Sequence, residues 1–230
     1  MAAATIVTSQ MLGASDFNSI AAFEHQNTIL DNNILHKIAE IFVRHDMHHN
    51  FGAGILHRHQ TLDDGQVMVH TKRTNEIDVC EIKTIDEITG EGLIPNSLFL
   101  NRQQKFQAFE YDIGRQAFQV NEKFALELRD FLVANGLKER IAIIPNPAMD
   151  GALGDSIELM LPNGSGTIRI PLKSADPEML DKAAEGITTG WSFTYKDQGI
   201  IECKGNTICA PTTNDMHKIF VDSKLRSVSK

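Results

Sequence analysis

The stretch "DSIELMLPNGSGTIRIPLK" constrains the fold most: two apolar runs around a Gly-rich turn, which read as two strands of a β-hairpin. The arrangement recurs along the chain. "QVMVHTKR" is followed after a short break by "EIDVCEIKTI", and "GWSFTYKDQGIIECKGNTICA" reads as a further hairpin set ending near "HKIFV". "RIAIIPNP" is a buried strand, residues 97–100 form a short one, and "QAFEYDIGRQAF" is ambiguous between strand and helix. Strands that come in hairpins, rather than alternating with helices, favour an α+β fold over a doubly wound sheet. The expectation is an antiparallel, hairpin-rich sheet packed with two or three helices. With no internal repeat or low-complexity linker, a single domain over 1–230 is the simplest organisation.

Three segments read as helices. In "LDNNILHKIAEIFVRHDMHHNF", Ile34, Leu35, Ile38, Ile41 and Phe42 recur at three- and four-residue steps, with Asp31 or Asn32 as cap. The same stripe continued leads to His45 and His49. A second helix over about 122–134 carries Phe124, Ala125, Leu128, Phe131 and Leu132 on one face, between Asn121 as cap and Gly136 as stop. "DPEMLDKAAEGI" is a short third, capped by Asp176 with Pro177 at its first position.

Six of the nine histidines fall between Phe42 and His70. His57 and His59 are two apart on an expected strand, so they share a face. If residues 62–65, or only Asp64-Gly65, form a hairpin turn, His70 returns to that face beside one of them, whereas a three-residue loop would send it to the other side. Three imidazoles on one face suit a divalent transition metal such as Zn, Fe or Cu, and an open fourth position is what metal catalysis needs. His45, His48 and His49 at the helix end would complete or orient that shell, and Asp63, Asp78 and Glu81 are nearby carboxylates. The expected metal ligands are therefore His57, His59 and His70, with His45, His49 and Asp63 as candidate catalytic groups. On this reading at least four of the six imidazoles line one pocket. A metal-free acid–base pocket of histidines, or a polar core in a binding or scaffold protein, are the competing readings.

Composition narrows the partners. The net charge is −8 and the longest basic grouping is "HTKR", which excludes the clustered Lys and Arg that nucleic acid demands. No apolar run approaches a membrane span. Three cysteines and an N-terminus without a basic-then-apolar leader fit a cytoplasmic protein acting on a small-molecule substrate. Cys203 and Cys209 flank "KGNTI". A three-residue loop over 205–207 would pair them across a hairpin, whereas a two-residue loop would put them on opposite faces. Serine chemistry has no support, since no G-x-S-x-G elbow is present.

The pair His57-Arg58-His59 resembles the metal-binding strand of cupins, in which an acid follows two histidines; Asp63 stands where that acid would be. The preceding glycine spacing departs from the cupin pattern, and no second cupin segment is present. The segment "GILHRHQTLDDGQVMVH" also resembles a group of uncharacterised fungal proteins with an "LLHRHF" strand. That resemblance implies a source and no activity.

Overall fold

A computed structural model describes residues 6–8, 10–25, 30–74, 76–88, 90, 92–113, 119–146, 154–161, 164–196 and 199–210. The "HKIFV" segment, the end of "QAFEYDIGRQAF" and Asn163 of the "PNGSG" turn lie outside them. Ten strands form one closed barrel: β1 (Phe51–Ile55), β2 (Gln66–Arg73), β3 (Asp78–Thr84), β4 (Leu93–Leu100), β5 (Phe106–Ile113), β6 (Ile141–Pro145), β7 (Ser156–Met160), β8 (Gly166–Pro171), β9 (Ile187–Lys196) and β10 (Ile200–Cys209). Their order around the barrel is β1-β6-β4-β5-β2-β3-β8-β7-β10-β9, and β9 pairs with β1 to close it. The helices are α1 (Ala14–Asn18), α2 (Asn32–Arg44), α3 (Glu122–Ala134) and α4 (Pro177–Glu185).

The α+β class and the expected helices are present, and the hairpins β2–β3, β7–β8 and β9–β10 are antiparallel. The all-antiparallel expectation is corrected in one respect. β2 runs parallel to β5, and β10 parallel to β7, so the sheet is mixed. Sequence-adjacent hairpins are short-range features. Which hairpin lies beside which is decided by closure, which alone removes both sheet edges.

Side chains divide by strand alternation. Val67 and Val69 join the core cluster under α2 and α3, while Met68 between them faces the barrel's inner cavity. Ile157, Leu159, Ile168 and Ile170 pack outward with Met179 and Ala183 of α4, while Glu158, Thr167 and Arg169 line the cavity. Helix α2 is held by what it buries: Ile38, Ala39 and Phe42 are fully buried, and the Phe42 ring meets Phe124 of α3 and Phe193 of β9 at 4.8 and 5.1 Å. Burying an Ile or Phe side chain is worth about 1.5–3 kcal/mol, more than any single propensity term in a 13-residue helix. The caps read from the sequence form: Asp31, Asn121 and Asp176 accept from Asn33, Lys123 and Met179 backbone N–H groups. The outer wall is apolar under its helices, and the polar residues of these strands turn inward.

Candidate metal centre

β1 and β2 are consecutive strands, yet β6, β4 and β5 stand between them in the barrel. The connection over 56–65 must therefore cross one end of the barrel, and His57 and His59 ride on that crossing. Leu56 and Leu62 anchor it, buried in the apolar cluster with Phe17, Ile20 and Phe109. The segment around α1 straps it from outside. Arg58 N–H donates to Ala21 O, Phe23 N–H donates to Arg58 O, and Arg58 Nε donates to Ile20 O at 2.8 Å. Asn18 clasps Leu62 through both backbone groups, at 2.9 and 2.8 Å. With Arg58 tied to the strap, the residues on either side point the other way, and Phe23 covers both imidazoles with ring centroids 5.4 Å away.

Below them, registers align one inward row across five strands: Cys209, Glu158, Arg169, Asp78 and Arg73. Opposite charges alternate along it, as cross-strand neighbours favour. Cys209 and Glu158 meet the two imidazoles. His59 Nε2 lies 3.2 Å from both His57 Nε2 and Cys209 Sγ, and Glu158 Oε2 lies 3.7 and 3.9 Å from the two imidazole nitrogens. One donor atom from each of the four residues falls within 4.8 Å of every other. Ligand nitrogens about 2.0–2.1 Å from one tetrahedral zinc ion stand about 3.3 Å apart. The donor set fits such an ion.

Hydrogen bonding fixes which lone pairs are offered. His57 Nδ1 is 2.9 Å from Ile55 O, a carbonyl that can only accept, so in the neutral ring the proton sits on Nδ1 and Nε2 carries the lone pair. Burial alone would lower the His57 pKa, but Glu158 outweighs it and the value rises. Glu158 is shifted well below the usual carboxylate range, because His57 and His59 more than offset its burial. Burial, with Glu158 beside it, pushes the Cys209 thiol up.

A second inward row holds Thr167, Cys80 and His70, with Asp112 opposite His70 on β5. His70 Nδ1 is 2.7 Å from Asp78 Oδ1, and Nε2 is 2.9 Å from Asn96 Nδ2 and 3.5 Å from Glu110 Oε2. Burial opposes charge on Asp78, but His70, Arg169 and Arg73 outweigh it and hold the carboxyl well below its usual range. The ionised Asp78 favours a second proton on His70 against the effect of burial. The Asn96 amide argues for a neutral ring: Arg73 donates twice to Asn96 Oδ1, so the Asn96 amino group is what faces Nε2. The hydrogen-bond geometry decides, and Nε2 is taken as the acceptor.

Glu158, Arg169 and Asp78 of the first row, Thr167, Cys80 and His70 of the second, and the crossing loop line one cavity of about 70 Å³, room for several water-sized groups. Phe17, Met68, Phe109, Ala142 and Ile144 give it an apolar side. Gly54 and Gly190, paired where β1 meets β9, keep its wall bare; a Cβ at Gly190 would stand 2.9 Å from Thr207 Oγ1. Thr207 Oγ1 and Gln60 Oε1 are buried at the cavity without a hydrogen-bond partner.

Several expected positions change. His57 and His59 lie beyond the end of β1, on the crossing loop rather than on a strand. β1 and β2 form no hairpin, so the three-histidine face is not made: His70 lies between Cys80 and Asp112 instead of opposite His57 or His59. Three of the six imidazoles, His57, His59 and His70, line the cavity rather than four or more. Helix α2 stops at Arg44 because Asp46 takes a left-handed φ of 59°, so the stripe does not carry on to His49. His45 Nε2 meets Glu127 at 2.6 Å on α3, and His49 is 69% exposed beside Asp46. Asp63 is exposed, its N–H donating to Gln66 Oε1. Cys203 and Cys209 share strand β10, whose turn from β9 comes before Ile200, so no hairpin brings them together.

Glu158 and Cys209 went unread as partners of the histidines, being about 100 and 150 residues away. One signal was present: Glu158 interrupts the apolar strand "SIELM" at an alternate position, which marks an inner face that is not apolar. No family model, curated protein or solved structure matches this chain, so the site stands on its own chemistry.

Proposed function

We propose that the barrel binds one divalent transition ion, zinc foremost with iron or copper as alternatives, on His57, His59 and Cys209, and uses it to act on a small molecule held in the cavity. One observation carries the reading. The His59 nitrogen stands 3.2 Å from both His57 Nε2, which carries the lone pair of the neutral ring, and the Cys209 sulfur, with an ionised carboxylate behind them. A cluster of acceptors buried together is unfavourable unless a cation or shared protons join them.

Glu158 supports a catalytic over a structural reading. It stands 3.7 and 3.9 Å from the imidazole nitrogens, further than they stand from each other, so its carboxylate sits back from the pair. Three firm ligands and one open position mark catalytic rather than structural zinc. When bound there, the ion supplies Lewis acidity, polarising a substrate oxygen or acidifying a water. Glu158 is then placed to take or give a proton at the cavity, and His57 is kept in the ligating tautomer by Ile55 O. Phe17, Phe109 and Met68 seat an apolar group, while Gln60 Oε1 accepts a hydrogen bond from the substrate.

The test is metal content. Protein purified without a histidine tag or chelator carries a transition ion by elemental analysis, and the double variant His57→Ala, His59→Ala loses one equivalent while unfolding cooperatively. Metal-free protein that takes up none of Zn, Cu or Fe with better than about micromolar affinity, a binding free energy near −8 kcal/mol, refutes the reading.

A further inference from the structure

We propose a second metal site in the same cavity, formed by His70, Cys80 and Glu110 and taking a divalent transition ion of zinc type. The three residues each offer a ligand atom within 4.8 Å of the others. Their surroundings hold them as ligands are held.

The imidazole is oriented from behind. Arg73 Nη1 and Nη2 both donate to Asn96 Oδ1 at 3.2 Å, which fixes the amide and turns its amino group toward His70 Nε2. An N–H facing Nε2 requires a lone pair there, so the ring proton lies on Nδ1 and is donated to Asp78 Oδ1. Carboxylate–histidine pairs of this kind orient metal-ligating imidazoles and raise their basicity. Asp78 itself is committed elsewhere, to Arg169 and Arg73, and is not available as a ligand. Glu110 Oε2 is positioned by the Ser97 hydroxyl, which donates to it at 2.7 Å. The Asn96 amino group occupies the place of the cation, and it retains Ser97 Oγ at 3.1 Å as a second partner when an ion takes Nε2.

Charge balance points the same way. Four carboxylates and two guanidiniums crowd this interior, none with a side chain more than 23% exposed. Asp78 and Asp112 match Arg169 and Arg73. Glu110 and Glu158 remain, and one stands at each donor cluster. A bound ion would displace the proton of the thiol beside each, so that every cluster then presents two negative charges to it. The two inward rows are offset by two residues along β3 and β8, roughly 7 Å, so one small ligand could reach both clusters.

Chelator-stripped full-length protein is titrated with Co²⁺, following the thiolate-to-cobalt charge-transfer band and the bound equivalents. Two equivalents are expected, and Cys80→Ser and Cys209→Ser each remove one equivalent and about half of the band. Glu110→Gln, which keeps the shape of the side chain, weakens one equivalent at least tenfold; it decides the matter if Cys80→Ser does not fold. A single equivalent that Cys80→Ser and Glu110→Gln leave untouched overturns this proposal and leaves the His57–His59 site standing. A single equivalent lost in Cys80→Ser but kept in Cys209→Ser supports it and overturns the first site. No bound cobalt refutes both.

Discussion

His45, His48 and His49 stand a few residues before His57 and His59, yet the two groups end in different chemical settings. The first group follows the last turn of α2, where His49 is in solvent and His45 faces Glu127 of the neighbouring helix. The second group is carried across the barrel end and lowered onto a row of inward polar side chains. The difference teaches that imidazole density along the chain is no guide to a site. Among the described residues the buried His48 has only the exposed Asp46 and His49 beside it as further donors, whereas Glu158 and Cys209, both more buried, come to His57 and His59 from β7 and β10.

The sharpest way to break this contrast is to remove the acid that organises the inner rows. Asp78 is buried against Arg169, Arg73 and His70. Removing one partner of a buried ion-pair network leaves uncompensated charge, so Asp78→Ala is expected to cost about 3–5 kcal/mol in denaturant unfolding. Asp46→Asn beside His49, which keeps a side chain that tolerates the left-handed backbone there, should stay within about 0.5 kcal/mol. The pH dependence has a definite sign. Asp78 is depressed in the folded state below its ordinary 3.8, so its stabilisation is fully present above that value and is lost as pH falls through the lowered one. Asp78→Asn should flatten the acid limb of the stability profile below about pH 4. An acid limb unchanged in the variant would show that the inner row contributes no more than the surface does.

Metal should divide the two groups next. An ion that binds only the folded state at about a hundred times its Kd adds about 2.7 kcal/mol. Zinc is therefore expected to raise the thermal midpoint, and chelator to reverse the rise. His57→Ala with His59→Ala should remove the share of the shift that Cys209→Ser also removes, and the remainder should fall with Cys80→Ser, whereas His45→Ala with His49→Ala should keep the shift whole. A shift that survives loss of His57, His59 and Cys80 together would reassign the binding to the helix end.

How much of this was legible in the sequence follows from range. Helices α2, α3 and α4, their caps and the three antiparallel hairpins depend on contacts a few residues apart, and they are where the pattern put them. The pairing of β2 with β5 and of β7 with β10 depends on closing the sheet, which no local pattern encodes. The turn signal Leu62-Asp63-Asp64-Gly65 is a case where local chemistry was real but its partner was wrong. Gly65 does adopt a left-handed φ of 80°, and Gln66 N–H does bond Asp63 O. The turn starts β2 after a crossing rather than joining β1 to β2. His57 and His59 were visible as a pair, because residues two apart on extended chain stay together. Cys209 and Glu158 were not, because their register is set by strands that meet only when the barrel closes.

The cysteines offer a smaller test of the same point. Cys203 and Cys209 lie six residues apart on one strand, roughly 20 Å, far beyond the reach of a disulfide. All three thiols should titrate as free in non-reducing denaturant. Cys203→Ser should cost about 1 kcal/mol and leave metal content unchanged, since Cys203 only borders the core cluster under α2. A Cys203–Cys209 bridge in freshly isolated protein would mean that β10 is not one strand, and the placement of Cys209 in the site would go with it.

The smallest expected effect concerns the helix-end group. His45 Nε2 and Arg44 both reach Glu127, joining the last turn of α2 to α3, but Arg44 is 56% and Glu127 35% exposed. Charge pairs in such a setting are worth about 0.2–1 kcal/mol, because water screens them and long side chains must be held still. A double-mutant cycle of His45→Ala with Glu127→Gln should return a coupling in that range, and 1 M salt should remove most of whatever part of it is ionic. Both single variants should bind as much metal as the parent. A coupling above about 2 kcal/mol, or a loss of bound metal in either variant, would mean that the helix end and the barrel interior are energetically one unit. The contrast between them would then fail at its foundation, since the helix-end histidines would be acting at a distance on a site they do not touch.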